Sequence, residues 1–298
     1  LVNCILISFA IKPLINVEWN KICHAFPSFA IKFYGEGEDM LYLLLFIVLI
    51  VQFIIGMTLL RTGLFNASAQ SLKEWLVRLT STPFRGLLIG TIVTGILQSS
   101  SAVMVITIGL ISARILTFRQ SIGIILGTNI GTTFTTEFIT FDIDSFLVPL
   151  AIVGAILILI GKTKLRSVGF IFLGLAFVFT AMNGFEYLAS PVSTLSLMTH
   201  VFDQLDSSHF LSVLAGILVT SIIQSSTATT GIVMGFLSTD VLGIDTGIAI
   251  MLGANIGTCI TGYIASIGSG EESRLSAYAH IWLNVMGVAA FFPFISWL

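Results

Sequence analysis

Residues 41–60 (LYLLLFIVLIVQFIIGMTLL) and 145–160 (SFLVPLAIVGAILILI) contain no charged side chain. A helix of about 18 or more apolar residues crosses the ~30 Å hydrocarbon layer of a bilayer. Only helices and closed barrels can sit there, because the layer offers backbone groups no water. Charge is scarce throughout: 9% of residues are Asp, Glu, Lys or Arg and the mean hydropathy is +1.04. A soluble domain carries about 25% charged residues. Soluble enzymes, nucleic-acid binders and secreted disulfide scaffolds are thereby excluded. The expected fold class is an all-α polytopic membrane protein with the lipid bilayer as its surroundings.

The net charge of −2 gives no basic surface for nucleic acid. Cys4, Cys23 and Cys259 show neither metal-ligand spacing nor a paired framework. Cys259 lies in an apolar stretch and reads as a packed thiol. Residues 1–16 do not form a convincing signal peptide. The start at Leu1 and the apolar end read as those of a trimmed or partial chain.

An internal repeat organises the remainder. Shifted by 126 positions, residues 86–137 align without a gap on residues 212–263, with 22 of 52 pairs identical. Gln98-Ser99-Ser100 matches Gln224-Ser225-Ser226, and Asn129-Ile130-Gly131-Thr132 matches Asn255-Ile256-Gly257-Thr258. Leu72, Trp75, Leu76 and Leu79 mark one face of a helix, as do Met198, Val201, Phe202 and Leu205 at the same offset. Both read as helices lying in the membrane interface. Lys73 and Arg78 on the first become Thr199 and Gln204 on the second, which suggests that the copies face opposite sides.

Charge tests that suggestion through the positive-inside bias. Spans are expected at 41–60, 120–140, 145–162, 165–185, 246–268 and 276–298, with the runs around Gln98 and Gln224 entering and leaving on one side. One side then holds ten basic residues: Arg61, Lys73, Arg78, Arg85, Arg114, Arg119, Lys162, Lys164, Arg166 and Arg274. The other holds none, only Asp142, Asp144, Glu186, Asp203, Asp206, Asp240 and Asp245. Lys12, Lys21 and Lys32 in the first 40 residues do not fit this separation. An odd number of crossings per copy inverts the second. The expected organisation is an N-terminal segment 1–40, repeat 1 at 41–164 and an inverted repeat 2 at 165–298. It contains two re-entrant helical hairpins and interrupted transmembrane helices. Such repeats with broken helices are the architecture of many secondary transporters.

Two segments carry the chemistry. Residues 86–97 are apolar, followed by Gln98-Ser99-Ser100-Ser101 and a second apolar run. Twelve helical residues rise about 18 Å, which puts the polar quartet near mid-membrane. If the segment is a hairpin, the free N–H groups of its second arm point at the membrane centre, a ready anion site. The alternative is that Gln and Ser only hold helices together. The second segment is Gly127-Thr128-Asn129-Ile130-Gly131-Thr132-Thr133, with its copy at 253–258. Glycines and polar side chains are expected to unwind the helix there, giving a hard-oxygen cage for Na⁺ from Thr128, Asn129, Thr132, Asn255 and Thr258. The alternative is a small-residue packing seam.

No Lys or Arg is expected between the interfaces, so an anion would need dipoles, hydroxyls and co-bound cations, and cation coupling would be obligatory. Glu137 reads as an interfacial carboxylate and His280 as a hydrogen-bonded structural residue; His24, His200 and His209 carry no signal. No serine has a nearby His and Asp set, so nucleophilic catalysis has no support and the chain is not read as an enzyme.

Gln-Ser-Ser-Ser at 98–101 and Gln-Ser-Ser-Thr at 224–227, each followed by Asn-Ile-Gly-Thr, resemble the type II sodium–phosphate cotransporters. Ala279-His280 with Asn284 resembles an element of the same family. The resemblance covers about residues 40–298 and implies a sodium-driven importer of inorganic phosphate. It also implies a homodimer in the plasma (inner) membrane, with Na⁺ as coupling ion and no organic cofactor. Ser99, Ser100, Ser101, Ser225, Ser226 and Thr227 would be phosphate and sodium ligands, and Gln98 and Gln224 would bind or brace the tips. Thr227 departs from the family serine but keeps a hydroxyl. Transport of another oxyanion, an anion channel and a phosphate sensor are the competing readings.

Overall fold

The computed structural model describes residues 37–141 and 143–297. Lys12, Lys21, Lys32, Cys4, Cys23, His24 and Asp142 lie outside the described residues, as does most of the segment 1–40. Eleven α-helices follow one another among the described residues: α1 (Gly37–Leu79), α2 (Pro83–Leu97), α3 (Ser100–Ser112), α4 (Phe118–Ile139), α5 (Leu147–Ile160), α6 (Thr163–Ser193), α7 (Ser196–Ser207), α8 (His209–Ile223), α9 (Ser226–Leu237), α10 (Ile244–Ser266) and α11 (Glu271–Phe291). There is no strand among the described residues.

Four segments are long and apolar enough to cross a membrane: Asp39–Ser68, Thr163–Ser193, Ile244–Ser266 and Glu271–Trp297. The chain is therefore a multi-pass integral membrane protein. Helix α4 together with α5 has the length and composition of a fifth. The expected independent span at 145–162 is not met: α5 has 14 residues, about 21 Å of rise. A short 3₁₀ turn, Asp144–Phe146, takes up the residues before it.

The helix bounds recur at the sequence offset. Pro83–Leu97 and His209–Ile223 differ by 126 at both ends, and the second arms begin at Ser100 and Ser226. Positive φ recurs too, at Gln98 and Gln224 and at Arg114 and Asp240. One pair departs from this pattern. The expected interfacial helix at 72–79 is not separate but continues α1, whereas its counterpart α7 is a helix of its own. Leu72 and Leu76 are buried with Val93, Leu97 and Val103, so hydrophobic contact with α2 and α3 holds the end of α1.

The expected interruption of the long helices is also absent. Helix α4 runs unbroken through Gly127–Thr133 and α10 through Gly253–Thr258. The glycines instead admit a neighbouring backbone: a Cβ on Gly127 would lie 2.2 Å from Leu87 O, and one on Gly253 2.0 Å from Val213 O. The packing-seam alternative describes these segments, in which small residues let two membrane helices approach closely. Helix α2 thus lies along α4, and α8 along α10. Phe53, Met57, Leu60, Val178, Phe179 and Phe185 form the buried contact between α1 and α6.

Candidate functional site

The break between α2 and α3 and that between α8 and α9 each fall at a Gln-Ser pair. Gln98 ends α2 in the left-handed region (φ 53°, ψ 31°) and Gln224 ends α8 likewise (φ 58°, ψ 26°). A non-glycine residue there is uncommon and marks a position worth inspecting. The next residue is extended and starts the second arm as its N-cap: Ser99 Oγ accepts from Ala102 N at 3.2 Å, and Ser225 Oγ from Ala228 N at 3.3 Å. The glutamines fold back, Gln98 Nε2 donating to Gly95 O and Gln224 Nε2 to Ser221 O. Carbonyls left free at a helix end are satisfied in this way.

The tips converge. Gln98, Ser99, Ser100, Ser101, Gln224, Ser225, Ser226 and Thr227 line one small cavity, with Arg61, Thr132 and Thr135 as the other lining residues. Every lining side chain is polar. The enclosed space is only about 10 Å³, room for about one water-sized group. Helices α3 and α9 both start at this cavity, so their free N–H groups and positive dipole ends belong to its wall.

The expected sodium residues separate into two sets. Thr132 lines the cavity with the tip serines. Thr128, Asn129, Asn255 and Thr258 do not, and with the helices unbroken there are no unwound carbonyls beside them. Thr128 and Thr258 donate to carbonyls of their own helices, Ile125 O at 2.7 Å and Ala254 O at 2.9 Å. Asn129 Nδ2 donates to Asn284 Oδ1 of α11 at 3.1 Å, and Asn255 is exposed.

Two lining residues escape the sequence reading. Thr135 is buried one helical turn beyond Thr132 and Gly131, and its counterpart Thr261 donates to Gln224 Oε1 at 2.7 Å. Arg61 is the larger omission, and it corrects the expectation of a cavity without a fixed cation. Its Nε donates to Gln98 O at 2.9 Å and its Nη2 reaches Thr227 Oγ1 at 3.5 Å. Hydropathy ends the first span at residue 60, which assigns Arg61 to a loop. The helix continues to Leu79, and the stripe of Phe53, Met57, Leu60 and Leu64, which runs past Arg61, is the signal that could have placed it.

The two helix pairs, α2 with α3 and α8 with α9, differ in detail. Thr220 Oγ1 and Thr229 Oγ1 pair at 2.8 Å between α8 and α9. At the offset these are Thr94 and Val103, and the Thr94 hydroxyl is buried without a partner. Helix α11 adds a polar seam to the first copy: Ser276 Oγ meets Ser121 Oγ at 2.9 Å, and Phe118 N donates to Glu272 Oε2 at 3.1 Å. His280 on α11 is buried, but its Nδ1 lacks the expected hydrogen bond. Glu137 is exposed near the end of α4.

Comparison with known proteins gives a consistent result. The family model described as Na⁺/Pi-cotransporter matches residues 52–187 and 193–296. The uncharacterized protein YqeW of Bacillus subtilis (strain 168) is 41% identical over 257 residues, 86% of this chain and 84% of that protein. YjbB of Escherichia coli (strain K12), named for inorganic phosphate export, is 22% identical over 80% of this chain; the match spans 44% of YjbB. Human sodium-dependent phosphate transport protein 2B is 36% identical over 93 residues, 29% of this chain and 14% of that protein. No solved structure matches the chain.

Proposed function

Since this chain belongs to the Na⁺/Pi-cotransporter family, a family of transporters rather than enzymes, we propose that it imports inorganic phosphate together with Na⁺ by alternating access. The anion sits between the two hairpin tips. The convergence of both Gln-Ser-Ser tips on one polar cavity is the observation that carries this reading. In it, N–H groups of α3 and α9 and the hydroxyls of Ser99, Ser100, Ser101, Ser225, Ser226 and Thr227 hold phosphate, while Gln98 and Gln224 keep the tips in shape. Oxygens of Ser99, Ser100, Ser225, Ser226 and Thr132 are the hard donors that suit Na⁺. The protein works as a homodimer in the plasma (inner) membrane.

The test is phosphate uptake into proteoliposomes under an imposed Na⁺ gradient, with K⁺ replacing Na⁺ in the control. Accumulation above equilibrium that requires Na⁺ is expected. Equal flux in both salts, stopping at equilibrium, would point to a channel. A second direction of transport is favoured by YjbB, whose name refers to export. Reversing the Na⁺ gradient distinguishes the two: a symporter's phosphate flux reverses with it.

We further propose that the second copy is inverted. On this reading Arg114 and Arg119 share a side with Lys162, Lys164 and Arg166 because the chain goes out along α4 and back along the 14-residue α5 as two crossings, rather than along the pair as one broken span. Single cysteines introduced by Arg114→Cys and Lys164→Cys, in a background without native cysteines, should react with an impermeant thiol reagent from one face. Asp240→Cys should react from the opposite face. Labelling of all three from one face would remove the inversion.

A further inference from the structure

Arg61 carries an inference that rests on the phosphate reading of the cavity. Among the lining residues it is the one with a charge. A guanidinium has five N–H donors, and the contacts to Gln98 O and Thr227 Oγ1 use two of them. No carboxylate among the described residues pairs with it. It lies within Asp39–Ser68, a segment long and apolar enough to cross the membrane. Charged groups within such segments are costly, face a cavity, pair with one another or with backbone carbonyls, and mark substrate and ion pathways. The remaining wall offers only hydroxyls and amides, none of which supplies a negative charge.

Its position also makes the two tips unequal. At each tip the C-terminal end of one arm, partially negative, meets the partially positive N-terminal end of the next. In the first tip Arg61 sits on the terminal carbonyl of α2 and offsets that negative end, leaving the N–H groups of α3 to dominate. In the second tip the offset puts Tyr187 at the equivalent position, where it is 77% exposed and away from the cavity.

From this geometry we infer that Arg61 is an anion-binding residue of the transport site, holding phosphate against the first tip through its free N–H groups. The long contact to Thr227 is the one exchanged for a phosphate oxygen, and the bond to Gln98 O keeps the guanidinium aimed. A planar fork of donors matches two oxygens of one phosphate, which a lysine cannot reproduce.

Equilibrium binding of radiolabelled inorganic phosphate to the purified full chain in Na⁺ buffer tests this, with phosphate-free melting as the folding control. Arg61→Gln should fold and bind phosphate about tenfold to a hundredfold more weakly, the range for a lost hydrogen bond between charged groups. Arg61→Lys should fall between it and the wild type. R61Q affinity within about twofold of the wild type overturns the inference alone. A wild type that binds no phosphate overturns the phosphate reading and this inference with it. Should R61Q fail to fold, R61K decides: several-fold weaker binding supports the contact, and unchanged affinity overturns it.

Discussion

Alanine at Ser99, Ser100 and Ser101 together is expected to abolish phosphate uptake in proteoliposomes while the protein still inserts in the membrane. These hydroxyls stand at the start of α3 beside the cavity. A hydrogen bond to a charged group contributes about 1.5–3 kcal/mol, so losing two of them already lowers affinity about a hundredfold or more. Ser99 has a second task, since its Oγ accepts from Ala102 N. Removing such a cap costs about 1 kcal/mol of stability. The double variant Ser100→Ala, Ser101→Ala, which leaves the cap in place, isolates the effect on binding. Uptake at the wild-type level by either variant would sink the assignment of the first tip.

The second large effect concerns packing. Gly253→Ala and Gly127→Ala should each sharply lower the melting temperature in detergent, or prevent recovery of folded protein. The added methyl would sit 2.0 Å from Val213 O or 2.2 Å from Leu87 O, and these are backbone atoms that cannot rotate away. Overpacking costs about 1–3 kcal/mol and at times more. Moving the helices apart would also displace α2 or α8, which end at the tips. Gly109→Ala on α3 is the control: nothing lies within 4 Å of its added Cβ, and replacing a mid-helix glycine by alanine favours the helix by up to ~1 kcal/mol. Equal melting of G253A and G109A would mean that the segment is not the close-packed seam described here.

The seam shows why the sequence reading was partly correct. Gly127, Gly131, Gly253 and Gly257 announce something other than an ordinary apolar helix, but their spacing serves an unwound cage and a close approach equally well. What decides is whether another backbone lies alongside, and that backbone belongs to residues about 40 positions away. The Gln-Ser tips were more legible. Their interruption is local: a polar quartet between two half-length apolar runs, seen twice at one offset.

By itself, the sequence determined the membrane class, the duplication and the location of both tips. Each follows from composition or spacing within a continuous stretch of chain. Tertiary structure alone decided that both tips share one cavity and that the glycines pack rather than unwind. It also decided that Arg61, placed in a loop by hydropathy, enters the site to meet Gln98 and, 166 positions away, Thr227. Hydropathy reports how each residue partitions between water and lipid. It has no term for a distant carbonyl and hydroxyl that make a half-buried guanidinium tolerable, and that partnership exists only once the copies are folded together.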